Sequence, residues 1–110
     1  MQTSKNENIN LPDLVRQITI HYIEYYYAKF AESYTNKDVP EADLRKFVDE
    51  MYDTKQLDLK KYIRTSLKNN LGDKYSPTAT ENLLLEMFAD AKYAKERVIQ
   101  EILINTQNKI

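Results

Sequence analysis

The sequence predicts an all-α fold, a four-helix bundle-like domain in which two long helices run antiparallel with two short helices between them. Three observations support this prediction. A single Gly and three Pro in 110 residues are too few turn residues for a fold made of strands. Apolar residues recur at helical spacing in four stretches, and helix-start signals precede the later ones. The predicted long helices span about residues 12–35 and 78–106, and the short helices span about 40–53 and 58–71.

The first predicted helix is apolar around most of its circumference. Its apolar arc is about twice the roughly 100° that a helix packed against one neighbour needs. We therefore expect it to be the central helix, with neighbours on two sides. Residues 1–10 are mostly polar, so we expect them to form a flexible N-terminal arm. Residues 11–107 are then expected to form a single helical domain.

The two short helices each have a start signal and an apolar stripe. Asp38 followed by Glu41 matches a capping box for the first of them, and Asp58 is the expected cap of the second. Gly72 is placed to end the second helix in a left-handed conformation. The predicted stripes are Leu44, Phe47, Val48, Met51 and Tyr52 in one helix and Leu59, Tyr62, Ile63, Leu67 and Leu71 in the other.

The last predicted helix opens with another capping box, Thr78 to Glu81. Its stripe then continues without Pro or Gly, which predicts one uninterrupted helix. Because short loops favour antiparallel neighbours, we expect this helix to run antiparallel to the first. Its stripe consists of Leu84, Met87, Phe88, Ala91, Val98, Ile99 and Ile102.

Composition and motifs disfavour several classes of function. The chain has no Cys and one His, which excludes disulfides, thiol catalysis and His-rich metal sites. It has no glycine-rich phosphate loop. We therefore predict a protein that is not an enzyme, with no catalytic residues, cofactor or metal. No apolar run reaches the roughly 20 residues of a membrane span, which predicts no membrane association and a cytoplasmic location. Abundant Lys, Asn, Ile and Tyr are typical of an AT-rich genome, including viral ones.

Aromatic content suggests a protein-interaction module. Nine Tyr and three Phe provide large contact areas with polar tips that tolerate water. Lys95 falls inside the apolar stripe of the last helix, where it must extend to solvent, pair with a carboxylate or mark a second subunit. We predict self-association, as a homodimer, through the first and last helices, or binding to another protein. The predicted contacts are Tyr27, Phe30, Tyr34, Tyr93 and Lys95, whereas Tyr22, Tyr26 and Tyr62 are interpreted as core residues.

A basic helix face supports an alternative function. One side of the 58–71 helix carries several cations, and with the preceding helix it suggests a helix-turn-helix arrangement that binds DNA or RNA. Against this alternative, the turn lacks Gly and the net charge of the chain is −1. The residues concerned are Lys60, Lys61, Arg64 and Lys68.

Overall fold

The computed structural model describes residues 10–107, and of residue 107 only the backbone. All regular elements in that range are helical, which confirms the predicted all-α class. Residues 10–107 form five α-helices, however, because the last predicted helix is divided in two; two short 3-10 turns, Thr35–Lys37 and Gly72–Lys74, lie between them. The α-helices are α1 (Leu11–Ala31), α2 (Glu41–Asp53), α3 (Gln56–Leu71), α4 (Pro77–Ala89) and α5 (Ala91–Gln107). The predicted N-terminal arm lies outside the described residues except for Asn10, which caps α1 by accepting a hydrogen bond from the backbone N–H of Asp13.

Helix α1 is the central element, as its broad apolar surface predicts. It packs against α2, α3 and α5. Its fully enclosed residues include Val15 and Ile23, and the buried Thr19 hydroxyl donates to the Val15 carbonyl at 2.8 Å. The rest of the core comes from the stripes of the other helices: Leu44, Val48, Met51, Tyr52, Leu59, Ile63, Leu67, Leu84, Val98, Ile99 and Ile102.

Helix α1 ends at Ala31, four residues before the predicted end. Tyr34 is extended (φ −103°, ψ 147°), and the following turn places Asn36 and Lys37 at positive φ. The Ser33 hydroxyl donates to the Phe30 carbonyl at 2.8 Å, which satisfies one of the terminal helix carbonyls. The chain therefore reverses earlier than the apolar pattern indicates.

The predicted caps are only partly correct. Helix α2 begins after Pro40 without a side-chain cap, so Asp38 does not cap it. Asp58 lies inside the first turn of α3 and does not precede it. Gly72 has φ 55° and ψ −121°, a positive-φ conformation that favours glycine, as expected from its place after the helix.

The predicted 78–106 helix is interrupted at Asp90, which has φ −125° and ψ 69°. Helix α4 starts one residue earlier than predicted, with Ser76 accepting a hydrogen bond from the Ala79 backbone N–H at 3.2 Å. The break has a tertiary cause. Helix α4 contacts α3 and the end of α2, whereas α5 packs between α1 and α2. We therefore attribute the break to the different neighbours of α4 and α5.

The predicted antiparallel pairing of the first and last helices is wrong. Asp13, near the start of α1, lies by Arg97 in the first half of α5. Towards the ends of both helices, the Asn105 side chain donates to Glu24 at 2.6 Å. Helices α1 and α5 are therefore parallel. The reason is that α2 runs antiparallel to both helices. Tyr34, just after α1, donates to Asp43 near the start of α2. Arg45, also near the start of α2, contacts Glu96 of α5 at 2.8 Å.

Candidate interaction surface

Four tyrosines form a continuous surface cluster on α1 and α3, here called the tyrosine patch: Tyr22, Tyr25, Tyr26 and Tyr62. The Tyr22 ring lies 4.7 Å from Tyr62 and 4.9 Å from Tyr26, and Tyr25 meets Tyr26 edge-on at 5.1 Å. Three of the rings are nevertheless exposed, Tyr25 at 55%, Tyr26 at 41% and Tyr62 at 36%. The patch is held in a fixed arrangement by ring contacts while much of its area faces solvent.

Charges of both signs lie at the tyrosine patch. The Lys29 ammonium lies over the Tyr25 ring, 5.1 Å from its centroid. Partial burial, the neighbouring Tyr26 hydroxyl and the charge of Asp58 raise the pKa of Tyr22 above its ordinary value. Asp58 lies one helical turn before Tyr62 on α3, and Tyr62 contacts Tyr22, so Asp58 lies at the Tyr22 end of the patch. Lys29 follows Tyr22 by two helical turns, about 10 Å along α1, so the cation and the anion lie at opposite ends.

The interpretation of Tyr22, Tyr26 and Tyr62 as core residues needs correction. Tyr22 is half-buried and packs against the core, but Tyr26 and Tyr62 are exposed. The sequence held a signal for this difference. Tyr22, Tyr25 and Tyr26 add to an apolar arc on α1 that is wider than one neighbouring helix covers, so some of these side chains are to be expected at its edge.

Three of the predicted contact residues belong to a second aromatic cluster that joins α1 to α2. Phe30 stacks on Phe47 at 4.8 Å, and Tyr27 approaches Phe47 at 5.9 Å. Tyr34 packs on Phe30 at 5.3 Å, and its hydroxyl donates to Asp43 at 2.7 Å. Burial and the nearby Asp38 carboxylate raise the pKa of Tyr27. These side chains are half-buried and already engaged within the chain.

Tyr93 and Lys95, the other predicted contacts, differ from each other. Tyr93 is 67% exposed on α5, away from the tyrosine patch. The Lys95 side chain is only 19% exposed, and its ammonium lies 3.3 Å from both Asp49 and Asp53. Partial burial lowers the pKa of Lys95, but hydrogen bonds to the two carboxylates outweigh that effect and leave it raised. Its place in the apolar stripe therefore has an explanation within one chain.

The basic face of α3 is partly covered by neighbouring groups. Arg64 forms a two-pronged pair with Glu81 of α4, with one contact at 2.9 Å, which raises the pKa of Arg64 and lowers that of Glu81. The Lys60 ammonium lies 4.8 Å from the Phe88 ring, and Lys68 lies 5.7 Å from the Tyr75 ring. Of the four predicted nucleic-acid contacts, Lys61 has no ion-pair or ring contact within residues 10–107. Lys60 and Arg64 therefore contact α4, whereas Lys61 and Lys68 are exposed.

A polar groove of about 500 Å³ lies between α1 and the middle of α5. The exposed His21 lines it together with Glu24, Glu101 and the arginines Arg16 and Arg97. Within the described range, no three His, Asp or Glu side chains come together as metal ligands do. None of the helices between residues 10 and 107 is long and apolar enough to cross a bilayer.

Comparisons with protein families, with curated proteins and with solved structures give no match for this chain.

Proposed function

We propose that the chain is a non-enzymatic helical protein-interaction module that self-associates through the tyrosine patch. The observation that supports this proposal is the clustering of Tyr25, Tyr26 and Tyr62 in mutual or shared ring contact while each keeps more than a third of its surface exposed. Tyrosine is enriched at protein interfaces because it offers a large rigid area at low entropic cost. The proposal retains α1 as a contact helix and replaces the last helix with α3.

Charge at the patch favours a second copy as the partner. A twofold axis through the middle of the patch would bring Lys29 of one chain over Asp58 of the other, since the two charges lie at opposite ends. Such an isologous arrangement uses the same surface on both subunits. An acidic residue, Asp58, lies at the patch together with Lys29, whereas a nucleic-acid surface is predominantly basic, so we favour a protein partner.

The test is the oligomeric state of the wild-type chain and of a patch variant, measured by analytical ultracentrifugation over a range of concentrations. We expect Tyr25→Ala/Tyr26→Ala to weaken the dimer by about tenfold or more, because truncating a central aromatic contact costs more than about 1.4 kcal/mol. Tyr93→Ala is the matched control, since Tyr93 is an exposed tyrosine outside the patch. A wild-type chain that stays monomeric, or equal effects of the two variants, would refute the proposal.

The geometry has its own test. Lys29→Asp is expected to weaken association through like-charge contact with Asp58, and Lys29→Asp/Asp58→Lys is expected to restore it. Failure of the double exchange to restore the dimer would remove the twofold arrangement while leaving the patch itself as the contact surface.

A further inference from the structure

A cavity of about 160 Å³ lies where four of the helices meet, beside the break between α4 and α5. The residues that line its inner part come from α1, α2, α4 and α5 and are Thr19, Tyr52, Met87, Ala94 and Val98. Asp90, at the break itself, also lines the cavity. The space is therefore enclosed by side chains that are far apart in the sequence.

The inner part of the cavity is mostly apolar. Val98 is 2% exposed and Tyr52 is 3% exposed, and Met87 is half-buried and packs against the core. An apolar cavity of roughly 150 Å³ can hold a benzene molecule. The cavity therefore has the size and the polarity for one six-membered ring.

Two buried hydroxyl groups line the same cavity. The Tyr52 hydroxyl makes no hydrogen bond within residues 10–107, and burial raises its pKa to about 12, so it remains a donor at neutral pH. The Thr19 hydroxyl already donates to the Val15 carbonyl but keeps a lone pair that can accept. A hydroxyl on a ligand would accept from Tyr52 and donate to Thr19. That contact would satisfy a buried group whose unmet hydrogen bond costs free energy.

Two arginines lie at the outer part of the cavity. Arg97 is exposed and the Arg16 side chain is 34% exposed, and both also line the polar groove between α1 and α5. Arg16 pairs with Asp13, and Arg97 lies by the Tyr93 hydroxyl, but each guanidinium has five N–H donors, so several stay free. Among the described residues that line the cavity, the two arginines stand against one carboxylate, Asp90. The outer part therefore favours an anion.

From these features we propose that the cavity binds a small aromatic carboxylate with a hydroxyl opposite its carboxylate, of the size and type of 4-hydroxybenzoate. The ring lies against Met87 and Val98, the hydroxyl meets the two buried hydroxyls, and the carboxylate bonds to the two arginines. Pairing of a guanidinium with a carboxylate supplies both affinity and orientation. An apolar pocket with a few placed polar groups is the usual form of a small-molecule site.

The first test is the binding of 4-hydroxybenzoate to the wild-type chain, followed by nuclear magnetic resonance of isotope-labelled protein. We expect saturable binding with a Kd of about 0.1–1 mM, a range set by the small size of the ligand. The methyl groups of Met87 and Val98 should show the largest shifts. No saturable binding, as for a cavity that holds only water, or largest shifts around His21 in the polar groove, would overturn the proposal.

Tyr52→Phe tests the buried end of the site. The variant keeps the ring and removes the hydroxyl, so it should weaken the binding of 4-hydroxybenzoate about fivefold and leave the binding of benzoate nearly unchanged. Tyr27→Phe is the matched control, since Tyr27 is a half-buried tyrosine that does not line this cavity. Equal losses for the two ligands would contradict the hydroxyl contact and with it the proposed ligand class.

Arg97→Gln tests the outer end. It should weaken the binding of 4-hydroxybenzoate about tenfold, because hydrogen bonds between charged groups are the stronger ones, and it should not affect the neutral 4-hydroxybenzyl alcohol. Lys92→Gln is the matched control, since Lys92 is an exposed cation of α5 outside the cavity. An undiminished affinity for the acid, or an equal loss for acid and alcohol, would refute the anion site.

This ligand site does not depend on the tyrosine patch, because no residue of the patch lines the cavity. Tyr25→Ala/Tyr26→Ala is therefore expected to bind 4-hydroxybenzoate as the wild type does. Circular dichroism verifies that each variant is folded. Loss of binding in the folded patch variant would place the ligand at the patch and overturn the assignment to the cavity.

Discussion

Replacing Lys95 tests whether this residue serves the fold of one chain or a contact between chains. Its ammonium bridges Asp49 and Asp53 of α2 at 3.3 Å, and α5 carries it on the side that faces α2. We therefore predict that Lys95→Met lowers stability and leaves association unchanged. Methionine retains an apolar stem of similar length and removes the charge, so the variant isolates the electrostatic contribution.

The expected magnitude follows from the exposure of the three side chains. Asp49 and Asp53 are 58% and 65% exposed, so each ion pair contributes about 0.2–1 kcal/mol. Removing Lys95 also leaves two carboxylates four residues apart on one helix, which repel each other by about 0.2–0.5 kcal/mol. The predicted loss is about 1 kcal/mol, which corresponds to a fall of about 4–8 °C in Tm for a domain of this size.

The assay is thermal and urea denaturation followed by circular dichroism, at low and at high salt. The loss should shrink at high salt, because exposed ion pairs are screened. Lys92→Met is the control, since Lys92 is an exposed lysine on the same helix. If Lys95→Met unfolded at the same temperature as the wild type and also failed to dimerise, Lys95 would be an interface residue and the intrachain explanation would be wrong.

Three further predictions concern the core, a turn and alkaline pH. Leu59→Ala should lower the free energy of unfolding by about 2–5 kcal/mol, because Leu59 is fully buried. Leu57 is 81% exposed, so Leu57→Ala should change the free energy of unfolding by less than about 0.5 kcal/mol. Urea denaturation compares the two variants, and similar losses would contradict the assignment of the core face of α3. Gly72→Ala should lower the free energy of unfolding by about 1–2 kcal/mol through backbone strain alone, because φ is +55° and no atom lies within 4 Å of the added Cβ. A variant as stable as the wild type would rule out the positive φ. Burial raises the pKa of Tyr52 to about 12, above the value of about 10 in an unfolded chain, so its contribution to stability is fully present below about pH 10 and is lost as pH rises towards about 12. Tyr52→Phe should flatten that alkaline fall in the urea midpoint, Tyr93→Phe should not, and identical pH profiles for both variants would contradict the burial of Tyr52.

Which residues form the core of α2 and α3 could be predicted from sequence. The i, i+3, i+4 pattern that runs through Leu44, Val48 and Met51 leaves one apolar face, and that face is buried in the structure. Leu59, Ile63 and Leu67 follow the same rule in α3. These are local consequences of helical periodicity, because each helix needs only one apolar side to find a neighbour.

The candidate surface was harder to predict. Helix periodicity indicates which side of α1 is apolar, but it does not show how far a neighbouring helix covers each residue on that side. Tyr22 is partly covered by α3, while Tyr26 one turn later is left exposed. Lys95 presents the converse case, since its carboxylate partners come from a helix that precedes it by more than forty residues.

The sequence by itself determined that the chain is helical, where most of the helices begin and end, and which face of each is apolar, because those properties depend on interactions within a few residues. Only the tertiary structure decided that residues 77–107 form two helices, that α5 runs parallel to α1, and that four tyrosines meet at the surface. Those features depend on residues far apart in the chain competing for the same neighbours, and no Gly or Pro near Asp90 marks the break in the sequence.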